Sequence, residues 1–304
     1  MKRRVLILGY GEMGHAMEYL LAEKQPLRIW HRAHQNNLEE EVVGAQVILF
    51  CVPVNAHAEI IQRIAPYLAT GSLCLSIAKG LDESGRTAAQ TLGDMLHPHR
   101  YGIMCGPMIA EEIVQGRYAF ADVALSHAQD FDMVRALFQG STLICKQATD
   151  MLGSSWLGVL KNVYAILYGI AEALKLGDNM RGHLMVTATA EISAITQSLG
   201  ADTQTVYSDA GLGDLLTTAS SEHSHHQQLG RRLALGEVFE LTGEGVHTLK
   251  MIEKFQLFDS RSYPLFTLAT RIIAQPEQLQ IRLQEYLNHL KMGEFARPTS
   301  NTHL

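Results

Sequence analysis

From Trp156 to Ala171 the chain reads WLGVLKNVYAILYGIA, a run whose only amine is Lys161. A helix that is apolar on every side is stable only when surrounded, so this segment demands a fold built around it. An ammonium buried there without a partner costs several kcal/mol or sheds its proton. Burial also tunes such a lysine toward neutral pH, where it can serve as an acid or base. The run is nearly long enough to cross a bilayer. Lys161 and Asn162 interrupt it and no second such segment exists, which favours a core helix.

The remainder of the chain has room to surround that helix. Its 304 residues suffice for two domains, since single cores usually stop growing near ~250 to 300 residues. Apolar residues make up 47% and charged ones 18%, a globular composition that excludes general disorder. A net charge of -6 argues against a nucleic-acid binder, which relies on phosphate neutralisation. The basic start MKRRVLILGYG resembles a signal peptide, but its apolar run stops after four residues at Gly9. Cys51, Cys74, Cys105 and Cys145 are widely spaced without a CxxC pair, as suits a reducing compartment. Together these features point to the cytoplasm.

The first half alternates short apolar runs with helical patterns, as parallel βαβ units do. Strands are expected at 5–8, 27–30, 46–52, 72–78, 101–105, 121–125 and 142–146, with helices from the Gly-rich turn to about 23, at 58–68 and at 86–96. After about residue 148 every strong pattern is helical, over 153–174, 180–198, 202–208, 213–219, 227–234, 244–256, 264–273 and 276–291. Beyond Lys291 the polar tail is expected to fray. The fold class is therefore α/β: a doubly wound, mostly parallel sheet (a Rossmann domain, 1–148), then an all-helical domain over 149–304. Lys161 lies just past the join, and clefts between domains are preferred ligand sites.

Gly9, Gly11 and Gly14 form GxGxxG after a strand and before a helix, the context that lifts this motif above chance. The first glycine permits the tight turn, the second lets backbone approach a pyrophosphate, and the third lets helix pack on strand. The helix N-terminus adds N–H groups and partial positive charge. Glu12, inside the loop, must point outward to avoid repelling that anion. The second strand ends at Trp30-His31-Arg32 in place of the acid that holds a ribose hydroxyl. Arg32 suits the 2′-phosphate of NADP or an adenine face, unless it is an ordinary surface arginine. Lys79 follows the strand LCLSIA at a sheet end that faces the cofactor crevice. Asp214, in GLGDLLTT, either caps its helix or faces Lys161 and orients that ammonium toward a carbonyl oxygen. The histidines of EHSHHQQ (His223, His225, His226) lack thiolate or carboxylate partners nearby and read as a solvated loop before a metal site.

The series GYGEMG, VPVNAH, SIAKGLDE, MCGPMIAEE, GVLKN, GDN, GLGDLLTT and TGEGVHT, in this order, resembles bacterial NAD(P)-dependent glycerol-3-phosphate dehydrogenase. The likeness runs from residue 5 to about 270. It implies reversible reduction of dihydroxyacetone phosphate to sn-glycerol 3-phosphate, the start of the phospholipid glycerol backbone, by a homodimer using NADP or NAD. It also implies Lys161 as proton donor and acceptor, Lys79 as the lysine of substrate and cofactor, and Asp214 as the substrate-site aspartate. Gly106 and Ala110 match positions near substrate and nicotinamide. Arg32 and Glu244 match cofactor contacts, and Asn162 and Thr218 match polar positions beside the substrate.

The departures from that pattern bear on the substrate. Where the family grips the substrate phosphate with Ser-Arg-Asn, this chain has Ser224-His225-His226. The family's Thr-Arg-Gly before Ala190-Glu191 reads Val186-Thr187-Ala188, and its loop serine and following aromatic are Glu12 and Met13. Arginine is the fork-shaped phosphate binder and neutral imidazole a weaker one. Either the histidines act in protonated form, or Arg231 or Arg232 reaches in, or the substrate has no phosphate. The alternatives to the implied activity are a related reductase of an unphosphorylated ketone or a 2-oxo or 3-hydroxy acid, and a non-catalytic dinucleotide sensor.

Overall fold

A parallel sheet needs strands that are apolar on both faces, and VLIL, VILF and LCLS supply them. The computed structural model describes residues 2–33, 36–221 and 224–293. Its first half runs β1 (Val5–Leu8), α1 (Glu12–Leu21), β2 (Leu27–Trp30), α2 (Leu38–Val42), β3 (Val47–Phe50), α3 (His57–Ile64) and β4 (Leu73–Ser76). It continues through α4 (Ala88–Leu96), β5 (Arg100–Cys105), α5 (Ala110–Val114), β6 (Ala119–Leu125), α6 (Phe131–Leu137) and β7 (Leu143–Ala148). The sheet order is β2-β1-β3-β4-β5-β6-β7. Strands β1 to β5 are parallel, β6 runs antiparallel to β5, and β7 is parallel to β6.

The reversal at β6 follows from the length of its connection. The five residues of α5 advance only ~7.5 Å, too little to return along a six-residue strand. Helices cover both faces. Met17 and Leu21 of α1 with Ile113 and Val134 pack on one face, and Leu38, Ile61 and Leu92 on the other. The chain leaves β1 toward β2 and crosses back to β3 on the opposite side. This is the switch at which a doubly wound sheet opens a crevice beyond its strand ends.

From Met151 onward the elements are helical: α7 (Met151–Ala173), α8 (Asp178–Ser198), α9 (Asp214–Ser220), α10 (His225–Ala234), α11 (Glu244–Phe255), α12 (Pro264–Ala274) and α13 (Leu279–Met292). Helix α7 is buried at every residue from Gly153 to Ala171, and the others wrap it. Helix α10 crosses α7 at two glycines. A Cβ on Gly169 would lie 2.0 Å from the Gln227 carbonyl oxygen, and one on Gly230 would lie 2.0 Å from that of Ile166. Neither helix could approach so closely with any other residue there. Among the described residues no helix is long and apolar enough to cross a membrane.

Several expectations need adjustment. The segment expected to be helical over 202–208 is a 3-10 turn, Thr203–Tyr207, followed by a π-helical turn, Asp209–Gly213, which leads into α9. Helices α2, α5 and α6 were not anticipated, because five to seven residues are too few to show a helical period. His223 and nearly all of the polar tail lie outside the described residues.

Candidate active site

Four elements converge beneath the crevice. Lys79 follows β4, Gly106 follows β5, and α7 and α9 bring Lys161, Asp214 and Thr218 from the helical half. The Asp214 carboxylate lies between two ammonium groups: Lys161 Nζ is 3.0 Å from Oδ1 and Lys79 Nζ is 2.7 Å from Oδ2. Lys161 also donates to Thr218 Oγ1 at 2.6 Å, and Lys79 to the Gly106 carbonyl at 3.0 Å. Asp214 thus pairs with Lys161 across the site. Lys79 lies against Gly158 of α7, where a Cβ would come within 3.3 Å of its Cγ. Next to Lys161, Asn162 donates to Glu244 Oε2 at 3.0 Å, and the Glu244 carboxyl lies beside Gly80.

Burial and charge set the protonation of this cluster. Burial lowers the Lys161 ammonium to about 8; Asp214 opposes the shift and the positive charge of Lys79 adds to it. Burial also works against the Lys79 ammonium, but the nearer Asp214 carboxylate more than offsets it and holds its pKa above the ordinary lysine value. Glu244 is raised by burial, with both lysines pulling the other way. Two amines share one carboxylate, so the more buried Lys161 is the group able to exchange a proton near neutral pH.

Behind Lys79 is a support that the sequence reading did not identify. Buried His57 donates from Nδ1 to the Pro53 carbonyl at 3.1 Å, and its Nε2 accepts from Ser76 Oγ at 2.9 Å. Ser76 Oγ in turn accepts the Ala78 N–H at 3.1 Å, fixing the turn that carries Lys79. Burial lowers His57 to about 4, so it is neutral. Asp122 was also missed, although it is a lone charge in the apolar strand AFADVAL.

The Gly-rich loop has the shape a pyrophosphate needs. Gly9 has φ +96°, and a Cβ there would meet the Cys51 carbonyl oxygen at 2.5 Å. A Cβ on Gly14 would lie 2.3 Å from the Gly9 carbonyl oxygen. Above Gly11 there is nothing within 4 Å. Gly11 is the N-cap of α1 and has no side-chain cap, so the first N–H groups of the helix are open to an anion. Gly11, Glu12 and Met13 share a cleft of about 490 Å³ with Cys51, Lys79 and Glu244. These features fit a dinucleotide running from the loop to the lysine cluster. Arg32 is exposed beyond the end of β2, with Nη2 3.2 Å from Glu59 Oε2. Ala110 is buried at the first turn of α5.

The residues at the expected phosphate grip have separate surroundings. Ser224 is the N-cap of α10 and accepts the Gln227 N–H. His226 accepts the Gly245 N–H at Nε2 (3.1 Å), and burial lowers it to about 3. It is therefore a neutral acceptor that pins α11 and has no charge to offer a phosphate. His225 is exposed, with Nε2 3.9 Å from Glu12 Oε1 across the crevice. Glu12 does point outward, toward that histidine. Arg231 is committed to Glu172 at 2.8 Å, and Arg232 to Glu237 at 2.7 Å and the face of Phe239. Among the described residues no group of three or more His, Cys, Asp or Glu side chains is arranged to hold a metal ion.

A family model described as the C-terminus of NAD-dependent glycerol-3-phosphate dehydrogenase matches residues 150–284, and one described as its N-terminus matches residues 33–131. The NAD(P)+-type glycerol-3-phosphate dehydrogenase of Synechocystis is 31% identical over 89% of this chain and 88% of its own length. That of Agrobacterium fabrum is 35% identical over 66% of this chain and 62% of its own length, under two thirds of that relative. The crystal structure of glycerol-3-phosphate dehydrogenase from Coxiella burnetii superposes with a TM-score of 0.83 at 25% identity, covering 94% of this chain and 99% of that one.

Proposed function

The chain belongs to the NAD-dependent glycerol-3-phosphate dehydrogenase family, and on that premise we propose that it interconverts dihydroxyacetone phosphate and sn-glycerol 3-phosphate with NADPH or NADH. The observation that carries this reading is the shared carboxylate: Asp214 between Lys161 and Lys79, at the inner end of the crevice that begins at the Gly-rich loop. The nicotinamide cofactor, when bound, supplies hydride to the carbonyl carbon. As the carbonyl π pair moves onto oxygen, Lys161 Nζ gives that oxygen its proton and becomes neutral. Asp214 and Thr218 fix the direction of the amine, since both accept from it. Lys79 keeps its proton and adds fixed positive charge where negative charge develops on the oxygen. In the oxidative direction the neutral Lys161 takes the hydroxyl proton back.

The remaining assignments are part of the same proposal. Gly9, Gly11 and Gly14 cradle the pyrophosphate, Arg32 lies at the 2′-phosphate end, and Glu244, Ala110 and Gly106 border the nicotinamide and substrate. Residues 1–148 bind the cofactor and 149–304 complete the substrate site. The protein works in the cytoplasm as a homodimer, supplying the glycerol backbone of phospholipids. A second reading, reduction of an unphosphorylated ketone or a 2-oxo or 3-hydroxy acid, draws on one observation: Arg231 and Arg232 are both engaged elsewhere and His226 is neutral. One assay separates the two. NADPH oxidation is followed with dihydroxyacetone phosphate beside dihydroxyacetone and a panel of 2-oxo acids. The proposal expects the phosphorylated ketone to have the highest kcat/KM, and a higher value for any unphosphorylated one overturns the substrate assignment.

A further inference from the structure

Asp122 is a buried carboxylate in β6, facing Cys105 of β5 in register and Lys146 of β7. A carboxylate inside a sheet needs a strong partner to offset its lost hydration. Its Oδ2 accepts the Ala210 backbone N–H at 2.7 Å, across the join between the sheet and the helical half. Ala210 belongs to the π-helical turn Asp209–Gly213, whose next residue is Asp214. The same turn is tied a second time, by Lys146 Nζ to Asp209 Oδ2 at 2.7 Å. It has little slack from the other side, because a Cβ on Gly211 would lie 2.1 Å from the Val206 carbonyl oxygen. Such single-turn π segments recur at functional sites.

These contacts close a ring. Asp122 holds Ala210, the turn carries Asp214, Asp214 binds Lys79, and Lys79 binds the carbonyl of Gly106, the residue after Cys105. We infer that Asp122 is a positioning residue: it sets the height of the Asp209–Gly213 turn above the sheet, and so the distance from Asp214 to the two lysines. Asp122 is bonded to the turn and not to either lysine, so it acts through Asp214. The charged groups around the turn are Lys146 and Asp209 on its outer side and the Lys79–Asp214–Lys161 cluster on its inner side. This inference rests on Lys161 and Asp214 being the proton-transfer pair.

The test compares wild type, Asp122→Asn and Asp122→Ala. Asparagine keeps an acceptor oxygen for the Ala210 N–H, and alanine removes it. Two readouts are taken: kcat and the KM values for dihydroxyacetone phosphate and NADPH across pH, and hydrogen–deuterium exchange of peptides across the chain, 205–216 and α7 among them, in protein without cofactor. Asp122→Ala should lower kcat by up to ~10²-fold, the cost of a displacement of about 1 Å in a catalytic group. The KM for NADPH should stay near wild type, and the alkaline fall of kcat should move to lower pH as Asp214 retreats from Lys161. Exchange should rise within 205–216 and not in α7, and Asp122→Asn should restore most of the rate. Wild-type kcat and exchange in Asp122→Ala would overturn the inference. So would equal losses in both variants with faster exchange throughout the molecule, which would make Asp122 a general stability residue. Should the wild type reduce no ketone, the proposed function fails and with it the catalytic part of the inference; a rise in exchange confined to 205–216 then upholds Asp122 only as the tether of the turn, and its absence ends that too.

Discussion

Asp214→Asn is the perturbation whose outcome is best defined by the geometry. The exchange removes one negative charge 3.0 Å from Lys161 Nζ and leaves the side chain nearly the same shape. At that separation, with an effective dielectric near 20, the attraction lost is roughly 5 kcal/mol as a ceiling. Measured effects of a neighbouring opposite charge are smaller, about one to three pKa units. Lys161 starts at about 8, so the loss brings its pKa to between roughly 5 and 7. At pH 7 the protonated fraction then drops from about nine tenths to between a half and a hundredth, a loss of roughly 2- to 100-fold in ketone reduction. The sign is fixed because the donor must be protonated: reduction falls as pH rises through the Lys161 pKa, and alcohol oxidation rises through it. The assay is kcat for reduction across pH 5 to 10 at saturating NADPH. Wild type should show an alkaline limb near 8, and Asp214→Asn a limb displaced toward acid. Lys79→Met should displace it the other way, because it removes a positive charge that depresses Lys161. Limbs that coincide, or that shift in the same direction in the two variants, would refute the shared-carboxylate reasoning.

Three further outcomes follow from other parts of the molecule. His225 faces Glu12 across the crevice, and only a protonated imidazole attracts a phosphate dianion, so a His225 that grips the substrate makes the KM for dihydroxyacetone phosphate rise with pH. His225→Arg should lower that KM at pH 8 and flatten the profile; an unchanged profile removes His225 from the phosphate. Arg32→Ala should weaken NADPH more than NADH, since a guanidinium paired with the 2′-phosphate contributes only to the cofactor that carries one; equal losses remove Arg32 from the 2′-phosphate. Glu191 is buried and accepts from Tyr164 and from the Leu265 and Phe266 N–H groups at the start of α12. Burial raises it from 4.5 to about 7, so its contribution to stability is full below 4.5 and is lost as pH rises toward and through 7. Thermal melts across pH 4.5 to 8 should show that decline in wild type and a flatter one in Glu191→Gln; equal slopes would contradict it.

The elements visible in the sequence were those with a long enough pattern. The four-residue strands VLIL, VILF and LCLS and the largely apolar α7 are legible because both faces of the element must be buried, and the glycines at 9, 11 and 14 because a strand-turn-helix closing on a phosphate needs them at that spacing. The lysine in α7 and the aspartate in GLGDLLTT marked chemistry for a related reason, since a charge in an apolar setting needs a partner. The partnership itself, 53 residues apart, was a conditional reading that only packing could decide. Other features had no local sign. The direction of β6 depends on how far a five-residue helix can travel. The neutrality of His226 depends on an N–H supplied by Gly245 from another helix. Asp122 was visible as an oddity in its strand, but the π-helical turn that gives it a partner lies 88 residues away.

Lys161→Met tests the central claim most directly. Methionine replaces a buried amine with an apolar head of similar length, so the protein should remain folded with thermal stability close to wild type. NADPH binding, measured by titration, should persist, because the Gly-rich loop is untouched. Turnover of dihydroxyacetone phosphate should fall by ~10² to 10⁴, the usual contribution of a positioned acid. A folded, NADPH-binding Lys161→Met protein that reduces dihydroxyacetone phosphate at near the wild-type rate would contradict the account.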